Sequence, residues 1–389
     1  MNKKIKLILG FILMRTVVAN LVHPVTPSFL INLNFPDYMF GLAFAMMALA
    51  NFFFSPFWGK ISKNFGDVKI YGLSYIGYGF GQFLFMTATS TWQLLIARLI
   101  AGLFVGGQLV NELIYISNNS PIEKRAKNLA ISGTIMGVFP AFGYLIGGVI
   151  GNYSIMAAFM TQVIALISLG VAAWILLSDS ITKEKISFKT LVKTSNPFVS
   201  FIYIRKYLNR QMILFFLVVL FSIIASTAFG QTFNYYIIDE LNFTIINNGY
   251  IKAVIGLISL VFNSVITLYI IRKTNIHKSY IKVLIASVIL VSSVLLLHGK
   301  IVFVILSILI FGMIAMYIPL LQAKLSDINV ENSEIVLGFY NSVKGMGSFL
   351  GSLLVGFIYA INSQFSFGFV IGTLGLAICL AVINLRPKM

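Results

Sequence analysis

Four charged side chains lie inside long apolar stretches of the sequence, where a charge is costly and usually serves a function. One of them, Glu112, is the only carboxylate within any of these stretches. A carboxyl group among apolar residues can bind and release a proton, and a nearby arginine changes how readily it does so. The other three are cations that could pair with Glu112 or with a negatively charged ligand: Arg15, Arg98 and Lys344.

The depth of these charges follows from the rise of an α-helix, about 1.5 Å per residue. Arg15 lies nine residues after Lys6, which is about 13 Å along a helix. Glu112 lies nine residues before Pro121, and Lys344 has a similar depth in a later stretch. We therefore predict an Arg15–Glu112 ion pair. Three roles stay open for it: proton coupling, a static structural salt bridge, or direct contact with a substrate.

Arg98, which is one of these cations, and His23 also lie in apolar stretches. Arg98 lies 14 residues before Glu112, about 21 Å along a helix on nearly the same face, so the two side chains cannot touch. Arg98 could simply bond to carbonyl groups of its neighbours. His23 lies beside Pro24 and could titrate, although a hydrogen-bonded structural role is the simpler interpretation.

The stretches that hold these residues are long enough to cross a bilayer. The chain is 59% hydrophobic and only 10% charged, whereas soluble domains carry about 25% charged residues. A helix of about 20 apolar residues crosses the hydrocarbon core, so the sequence predicts an all-α polytopic membrane protein with twelve transmembrane helices. The spans are predicted at about 7–30, 41–61, 70–88, 92–118, 128–150, 154–177, 211–238, 246–271, 279–298, 300–324, 336–360 and 364–385.

Basic residues predict the orientation of these spans. Most of the 28 Lys and Arg residues fall in the terminal segments and in the loops on the same side of the membrane, whereas only Lys252 and Lys300 fall at the other face. By the positive-inside rule, both termini are cytoplasmic. The net charge of +17 is then explained by a basic rim beside anionic lipid, and it requires no nucleic acid as a partner.

The spans divide into two halves of six, which we predict to be pseudo-symmetric. Residues 1–177 and 211–389 form the halves, and residues 178–210 form a cytoplasmic linker whose mixture of Lys, Phe and Ile suggests a helix on the membrane surface. Three glycines recur at an offset of 208 residues, which supports an internal repeat of the kind found in secondary transporters. The pairs are Gly137 and Gly345, Gly143 and Gly351, and Gly148 and Gly356.

Four motifs then occur in order along the first five spans. Span 1 contains "LVHPVTPSFL", and span 2 with its loop reads "FSPFWGKISKNFGDVKIYG". Span 4 has Arg98 followed by Gly102. Span 5 carries a glycine- and proline-rich motif: Gly133, Gly137, Pro140, Gly143, Gly147 and Gly148. Over essentially its whole length, the sequence resembles the major facilitator superfamily, in the drug:proton antiporter branch typical of Gram-positive multidrug and quinolone efflux pumps.

The resemblance implies roles for these motifs. It implies that span 5 packs at the seam between the halves and seals it against ion leak, although small residues also serve ordinary helix packing. Pro140 can bend this helix. Arg98 would act in proton transfer or in the electrostatics of a central cavity.

The loop after span 2 departs from the family pattern. Between Gly59 and Gly66, the usual acidic position holds Lys63, and a usual arginine position holds Asp67. The family's acid helps to hold the outward-open state. We expect one of two arrangements. Either Lys63 and Asp67 form an ion pair in which the acidic and basic positions are exchanged, which the spacing of four residues permits on a helix, or both charges are solvated.

The resemblance also implies a function without fixing the substrate. Acids that several relatives carry in spans 7 and 10 correspond to Gly230 and Ala315 here, so an anionic, zwitterionic or neutral substrate is as plausible as a cation. Lys344 could meet an anionic group of the substrate. Further hydrogen bonds in the cavity could come from Gln231, Asn234, Tyr235 and Asn341.

We expect a monomer in the plasma membrane that exports small amphipathic compounds by alternating access, driven by protons. The alternative is an exporter or flippase for one anionic metabolite or lipid. A membrane enzyme or sensor with a transporter fold is a third possibility, but no loop is large enough to form an extra domain. The chain has no G-x-x-x-x-G-K-[ST] motif for ATP, and we expect neither a cofactor nor a metal.

Overall fold

The computed structural model describes residues 3–180, 208–326 and 333–385, together with residues 196, 198, 202, 204 and 205. Its described residues form helices joined by short connections. The helices that correspond to the first six predicted spans are α1 Lys3–Asn20, α2 Thr26–Asn32, α3 Met39–Phe65, α4 Asp67–Met86, α5 Thr91–Asn119, α6 Ile122–Val138, α7 Pro140–Tyr153 and α8 Ile155–Leu176. The predicted surface helix of the 178–210 linker lies largely outside the described residues.

The remaining helices correspond to predicted spans 7 to 12. Spans 9 and 10 are separate helices, as predicted, although only Leu297, His298 and Gly299 divide them. Span 8 contains a π-helical segment, Phe262–Thr267, between two α-helical parts. The helices are α9 Arg210–Asp239, α10 Ile245–Val261, α11 Leu268–Lys273, α12 Ile276–Leu296, α13 Lys300–Ser326, α14 Ser333–Ile361 and α15 Ser363–Leu385.

Two of the predicted spans are interrupted at proline. The first is broken between α1 and α2, where residues 21–25 form turns around Pro24. The second is interrupted at Phe139, which ends α6 and precedes Pro140 at the start of α7. Proline lacks an N–H group and disfavours helical geometry in the residue before it, so it breaks or kinks a helix. The break in span 1 corrects the prediction of one continuous helix over 7–30, and it puts His23 in a turn.

Polar residues at the helix starts define several of these boundaries. Ser90 caps α5 by accepting a hydrogen bond from the Gln93 backbone N–H, and Ser154 caps α8 in the same way. Asn209 and Asn275 cap α9 and α12. Each cap satisfies a backbone N–H that has no partner inside the helix, which is needed where a helix enters a membrane.

Ten helical stretches of the described residues are long and apolar enough to cross a membrane. The two predicted spans that do not meet this measure are the first, which is basic and broken, and the third, α4. Helix α4 carries several tyrosines together with Ser74 and Gln82. These polar groups face the interior, because Tyr71, Tyr75 and Gln82 are at most 2% exposed. The chain is therefore a polytopic helical membrane protein.

The described residues fall into two compact units. One contains those within Met1–Phe35, Met46–Pro197 and Thr244–Ala253, and the other contains those within Pro36–Ala45, Phe198–Phe243 and Val254–Met389. In the first unit α4 packs against α5 and α8, and in the second α12 packs against α13 and α15. These are spans 3, 4 and 6 and spans 9, 10 and 12, so corresponding spans pack alike in the two pseudo-symmetric halves.

Candidate functional site

The structure brings Arg15 and Glu112 together in the first unit. Arg15 Nε donates to Glu112 Oε1 at 2.6 Å, and the two side chains are 9% and 0% exposed. Arg15 reaches the pair from the last third of α1, and Glu112 from the last third of α5. The helical rise placed both residues at the same depth, and this is why their side chains meet. It is the only ion pair among the described residues.

Two tyrosines of α4 extend this pair into a network. Tyr71 donates its hydroxyl hydrogen to Glu112 Oε1 at 3.0 Å. The hydroxyl groups of Tyr71 and Tyr75 are 2.9 Å apart, and Tyr75 must be the donor there because Tyr71 has only one hydrogen to give. Sequence reasoning missed both tyrosines. Their signal was the spacing of four residues, which puts two polar rings on one face of an otherwise apolar helix.

The second oxygen of Glu112 has no such partners. Oε2 is buried and accepts no hydrogen bond within the described part of the chain, and Arg15 Nη2 is likewise buried without an acceptor. A buried carboxylate oxygen without a donor costs free energy. The carboxylate is therefore held through one of its two oxygens.

Arg98 lies in a separate environment of the same unit. Its guanidinium carbon is 3.7 Å from the centre of the Phe85 ring. Its Nη1 group lies 3.4 Å from Gln82 Oε1 and 3.8 Å from Met47 Sδ. The structure therefore surrounds Arg98 with an aromatic ring and neutral acceptors, and no carboxylate of a described residue pairs with it, which agrees with its separation from Glu112 along α5.

The predicted cavity residues of the second unit have different surroundings. Lys344 is half-buried, with Nζ 5.5 Å from the centre of the Tyr340 ring. Asn341 is exposed, and Gln231 and Asn234 are half-buried. Tyr235 is buried instead of lining an open cavity: its hydroxyl donates to Asp37 Oδ1 at 2.9 Å, and its ring stacks on a phenylalanine.

The predicted loop from Gly59 to Lys63 is instead the last part of α3, and Lys63 does not form the expected ion pair. The Asp67 carboxylate accepts hydrogen bonds from the backbone N–H and the hydroxyl of Ser180. The Asp179 carboxylate in turn accepts from the Val68 N–H at 3.1 Å, at the start of α4. The expectation of a Lys63–Asp67 pair is wrong, because Asp67 points into a contact with the chain that follows α8.

Two features accompany this contact: an unusual backbone conformation at Gly66 and a shifted pKa of the Asp67 carboxyl. Gly66 has a φ of +101°, a conformation that side chains disfavour, and a Cβ there would overlap the Asp179 carboxylate. Burial raises the pKa of the Asp67 carboxyl above its usual value, and the nearby Asp179 adds to that effect. The hydrogen bonds from Ser180 oppose the rise.

The glycines of span 5 differ in how closely they pack. A Cβ on Gly143 or Gly147 would overlap backbone carbonyl oxygens of span 1, those of Val17 and Leu21. In contrast, no atom of the described residues lies within 4 Å of a Cβ built on Gly133 or Gly137. The close packing predicted from the glycine motif therefore occurs only in α7, after Pro140.

Gly148 takes part in a crossing that has a counterpart in the second unit. A Cβ on Gly148 would lie 2.8 Å from the Gly249 Cα, and a Cβ on Gly356 would lie 3.1 Å from the Gly41 Cα. Residues 41 and 249 differ by 208, as do residues 148 and 356. Two backbone contacts between glycines are thus related by the internal repeat. The repeat predicted from spans 5 and 11 extends to spans 2 and 8.

Within the described residues, no group of three or more His, Cys, Asp or Glu side chains is placed to hold a metal ion. The site therefore consists of a buried ion pair with two tyrosines, and an isolated arginine, inside a bundle of membrane-spanning helices. These features together are those of a secondary transporter.

The comparisons agree with this class. The chain belongs to the Major Facilitator Superfamily, whose sequence profile matches residues 7–329. It is 26% identical over 373 residues to the class H tetracycline resistance protein of Pasteurella multocida, covering 93% of this chain and 90% of that protein. It is 23% identical over 368 residues to the quinolone resistance protein NorA of Staphylococcus aureus strain MSSA476, covering 94% and 92%.

A solved structure supports the same fold. The crystal structure of the nucleoside transporter NupG is 14% identical in sequence and superimposes with a TM-score of 0.75 over 100% of each chain. At this identity the likeness concerns the fold alone. The family and its relatives are membrane transporters, so the chain is a transporter and not an enzyme, and the resemblance to efflux proteins noted from its motifs is confirmed.

Proposed function

We propose that the protein is a proton-coupled exporter of small amphipathic compounds that works by alternating access. Its relatives include tetracycline and quinolone resistance proteins, and the proposal carries that export role to this chain. The observation that supports proton coupling is the asymmetry at Glu112. One oxygen is held by Arg15 and Tyr71, and the other is buried without a hydrogen-bond partner in the described part of the chain.

In this proposal, Glu112 carries the proton and Arg15 sets how readily the proton leaves. Protonation of Oε2 removes the charge that Arg15 attracts, which weakens the tie between α1 and α5. Loss of the proton restores the ion pair. Because a buried ion pair and a buried neutral carboxyl differ in stability by several kcal/mol, the protonation state of Glu112 can bias the conformation of the first unit.

The proposal also covers the location of the transporter, its partners and the path of its substrate. The transporter acts as a monomer in the plasma membrane with both termini in the cytoplasm, and the lipid bilayer and protons are its partners. Lys344, Gln231, Asn234 and Asn341 contribute polar groups to the substrate path, and Arg98 contributes charge to it. The two glycine crossings, at Gly148 and at Gly356, allow helices to meet closely while the transporter changes conformation.

A second candidate function is export of one anionic metabolite or lipid. It is favoured by an excess of buried positive charge: Arg98, Lys252 and Lys324 are each at most 9% exposed. None of them forms an ion pair with a described residue. A buried charge without a partner is expensive, and an anionic substrate would offset it.

The test of proton coupling uses inside-out membrane vesicles with a dye that reports internal pH. We expect an exported compound to dissipate the proton gradient in vesicles with the wild-type protein, and the signal to fall to background with Glu112→Gln. Glutamine keeps an acceptor for Arg15 but cannot carry a proton. The matched control is Glu123→Gln, which removes an exposed acid just outside the next span and should leave the signal unchanged.

Transport of the labelled compound, measured apart from the proton signal, distinguishes a coupling role of Glu112 from a structural role. A Glu112→Gln protein that still equilibrates the compound without moving protons supports the proposal. If the wild type moves the compound and no proton signal appears, proton exchange is wrong and Glu112 is a structural partner of Arg15.

A further inference from the structure

A group of basic side chains lies in the first unit, away from the Arg15–Glu112 pair. Its central member is Lys252 on α10, which the sequence placed at the outer face of the membrane. The structure buries Lys252, so that only 9% of the residue is exposed. Its ammonium group lies 5.1 Å from the centre of the Tyr144 ring on α7, and no hydrogen bond to it is found among the described residues.

His23 lies on the same ring. The His23 and Tyr144 rings meet edge to face with centroids 5.9 Å apart. His23 occupies the turn that interrupts span 1, and the adjacent Pro24 carbonyl accepts a hydrogen bond from Asn248 Nδ2 at 3.2 Å. This bond holds the first turns of α10 beside the break, so that Lys252 approaches Tyr144 from α10 and His23 approaches it from the turn.

Arg98 lies in the same unit as Lys252 and His23. Both Lys252 and Arg98 act electrostatically on His23. Arg98 Nε is buried without an acceptor among the described residues. The Phe85 ring under Arg98 packs against Phe29 and Phe159 at centroid distances of 5.4 and 5.7 Å, which gives the cluster an aromatic wall.

Neither Lys252 nor Arg98 forms an ion pair with a described residue. In the described part of the chain, the one ion pair is between Arg15 and Glu112, and Glu112 lies about 21 Å from Arg98 along α5. Cations inside a membrane protein generally pair with an acid or mark the path of a substrate. A cation on an aromatic face gains part of its lost solvation, but it keeps its capacity to bind an anion.

We propose that His23, Arg98 and Lys252 form a binding subsite for the negatively charged group of an amphipathic substrate, with Tyr144 and the Phe29–Phe85–Phe159 rings taking its apolar part. This rests on the proposed function, because it names the substrate class of the exporter: aromatic or otherwise amphipathic monoanions. A carboxylate or sulfonate would accept charge-assisted hydrogen bonds from Lys252 and from Arg98 Nε.

The experiment measures binding of three dansyl compounds of similar size to the purified full-length protein in nanodiscs: dansylglycine, which is anionic, dansylamide, which is neutral, and dansylcadaverine, which is cationic. We expect the wild type to bind dansylglycine most tightly. Lys252→Gln should weaken dansylglycine binding about tenfold, since a hydrogen bond to a charged group contributes about 1.5–3 kcal/mol. Dansylamide binding should not change.

Two more variants complete the design. Lys252→Arg keeps the charge and should retain most of the dansylglycine affinity, which a purely structural role of the lysine would not predict. Lys300→Gln is the matched control, because Lys300 also lies near an aromatic ring, 5.8 Å from the centre of Phe243, but is exposed. It should bind all three compounds as the wild type does.

The inference is overturned if the wild type shows no preference for dansylglycine, or if Lys252→Gln binds it as tightly as the wild type. Binding is measured without a proton gradient, so its outcome is independent of proton coupling. A charge preference without proton movement would remove the proposed coupling and keep the subsite. Proton movement driven by dansylcadaverine, with no anion preference, would remove the subsite and keep the exporter.

Discussion

The two oxygens of the Glu112 carboxylate have different surroundings, and the proposed proton site rests on this difference. Oε1 receives Arg15 Nε and the Tyr71 hydroxyl, whereas Oε2 receives no donor from the described residues. A salt bridge that served only stability would use both oxygens, since a bidentate arginine pair is stronger. One free oxygen leaves room for a proton while the other keeps the carboxyl group oriented.

The stability of the two single variants should therefore depend on pH in different ways. Arg15→Gln leaves a buried carboxylate, which can bind a proton and lose its charge, whereas Glu112→Gln leaves a buried guanidinium, which cannot lose its charge. Near pH 8 each substitution should lower the free energy of unfolding by about 3–5 kcal/mol. Near pH 5 Arg15→Gln should regain part of that loss, and Glu112→Gln should not.

Thermal unfolding of the purified proteins in detergent over this pH range measures the effect. Arg125→Gln is the control, because it removes an exposed arginine and should follow the wild type at each pH. If the losses of Arg15→Gln and Glu112→Gln have the same pH dependence, Glu112 does not bind a proton when Arg15 is absent, and its free oxygen has no role in coupling.

At the scale of helices, close contacts between glycines are the places where two helix backbones pack directly against each other. Gly148 and Gly249 approach so closely that an added Cβ would lie 2.8 Å from the neighbouring Cα, and the repeat places an equivalent contact at Gly356 and Gly41. In lipid, helices associate through such packing, because burial of apolar surface from water contributes little. These crossings should therefore contribute strongly to the conformation in which they are formed.

Gly249→Ala should disfavour this conformation without preventing folding. The new methyl group would lie 2.8 Å from both the Gly148 Cα and the Tyr144 carbonyl oxygen, and overpacking of this kind costs about 1–3 kcal/mol. We expect a matching drop in transport rate in vesicles, with little change in the amount of protein in the membrane.

Gly133→Ala is the matched control for this prediction. No atom of the described residues lies within 4 Å of the new methyl group, and alanine favours a helix over glycine by about 1 kcal/mol. It should retain wild-type transport and unfold at the same or a slightly higher temperature. Equal transport by Gly249→Ala and the wild type would show that the crossing does not limit the cycle.

The sequence predicted the helices well because each apolar stretch matches the thickness of a bilayer, and it predicted the Arg15–Glu112 pair because depth along a helix is a simple count. It did not predict the partner of Asp67, since Ser180 lies 113 residues away and only the packed fold brings them together. It also did not predict that Lys252 is buried. Counting from the end of a helix gives the height of a residue, but not the neighbour that covers it.

At the scale of the whole molecule, the distribution of positive charge is the strongest asymmetry. Most of the 28 Lys and Arg residues lie in the terminal segments and in loops predicted on one side, and Lys300 is an exposed lysine on the other. During insertion, basic loops are retained in the cytoplasm. The direction of export and the access of protons to Glu112 both depend on this orientation, because Glu112 lies nearer the basic side.

Single cysteines should report the orientation directly. In a background with Cys379→Ser, which removes the one native cysteine, Lys127→Cys and Lys300→Cys each replace an exposed lysine at opposite predicted faces. A membrane-impermeant maleimide should label Lys300→Cys in intact cells, and it should label Lys127→Cys at least about tenfold more after permeabilisation, because the hydrocarbon core blocks the reagent. The reverse pattern would place both termini outside, so that Glu112 would lie nearer the external medium and the proposed direction of proton exchange would be inverted.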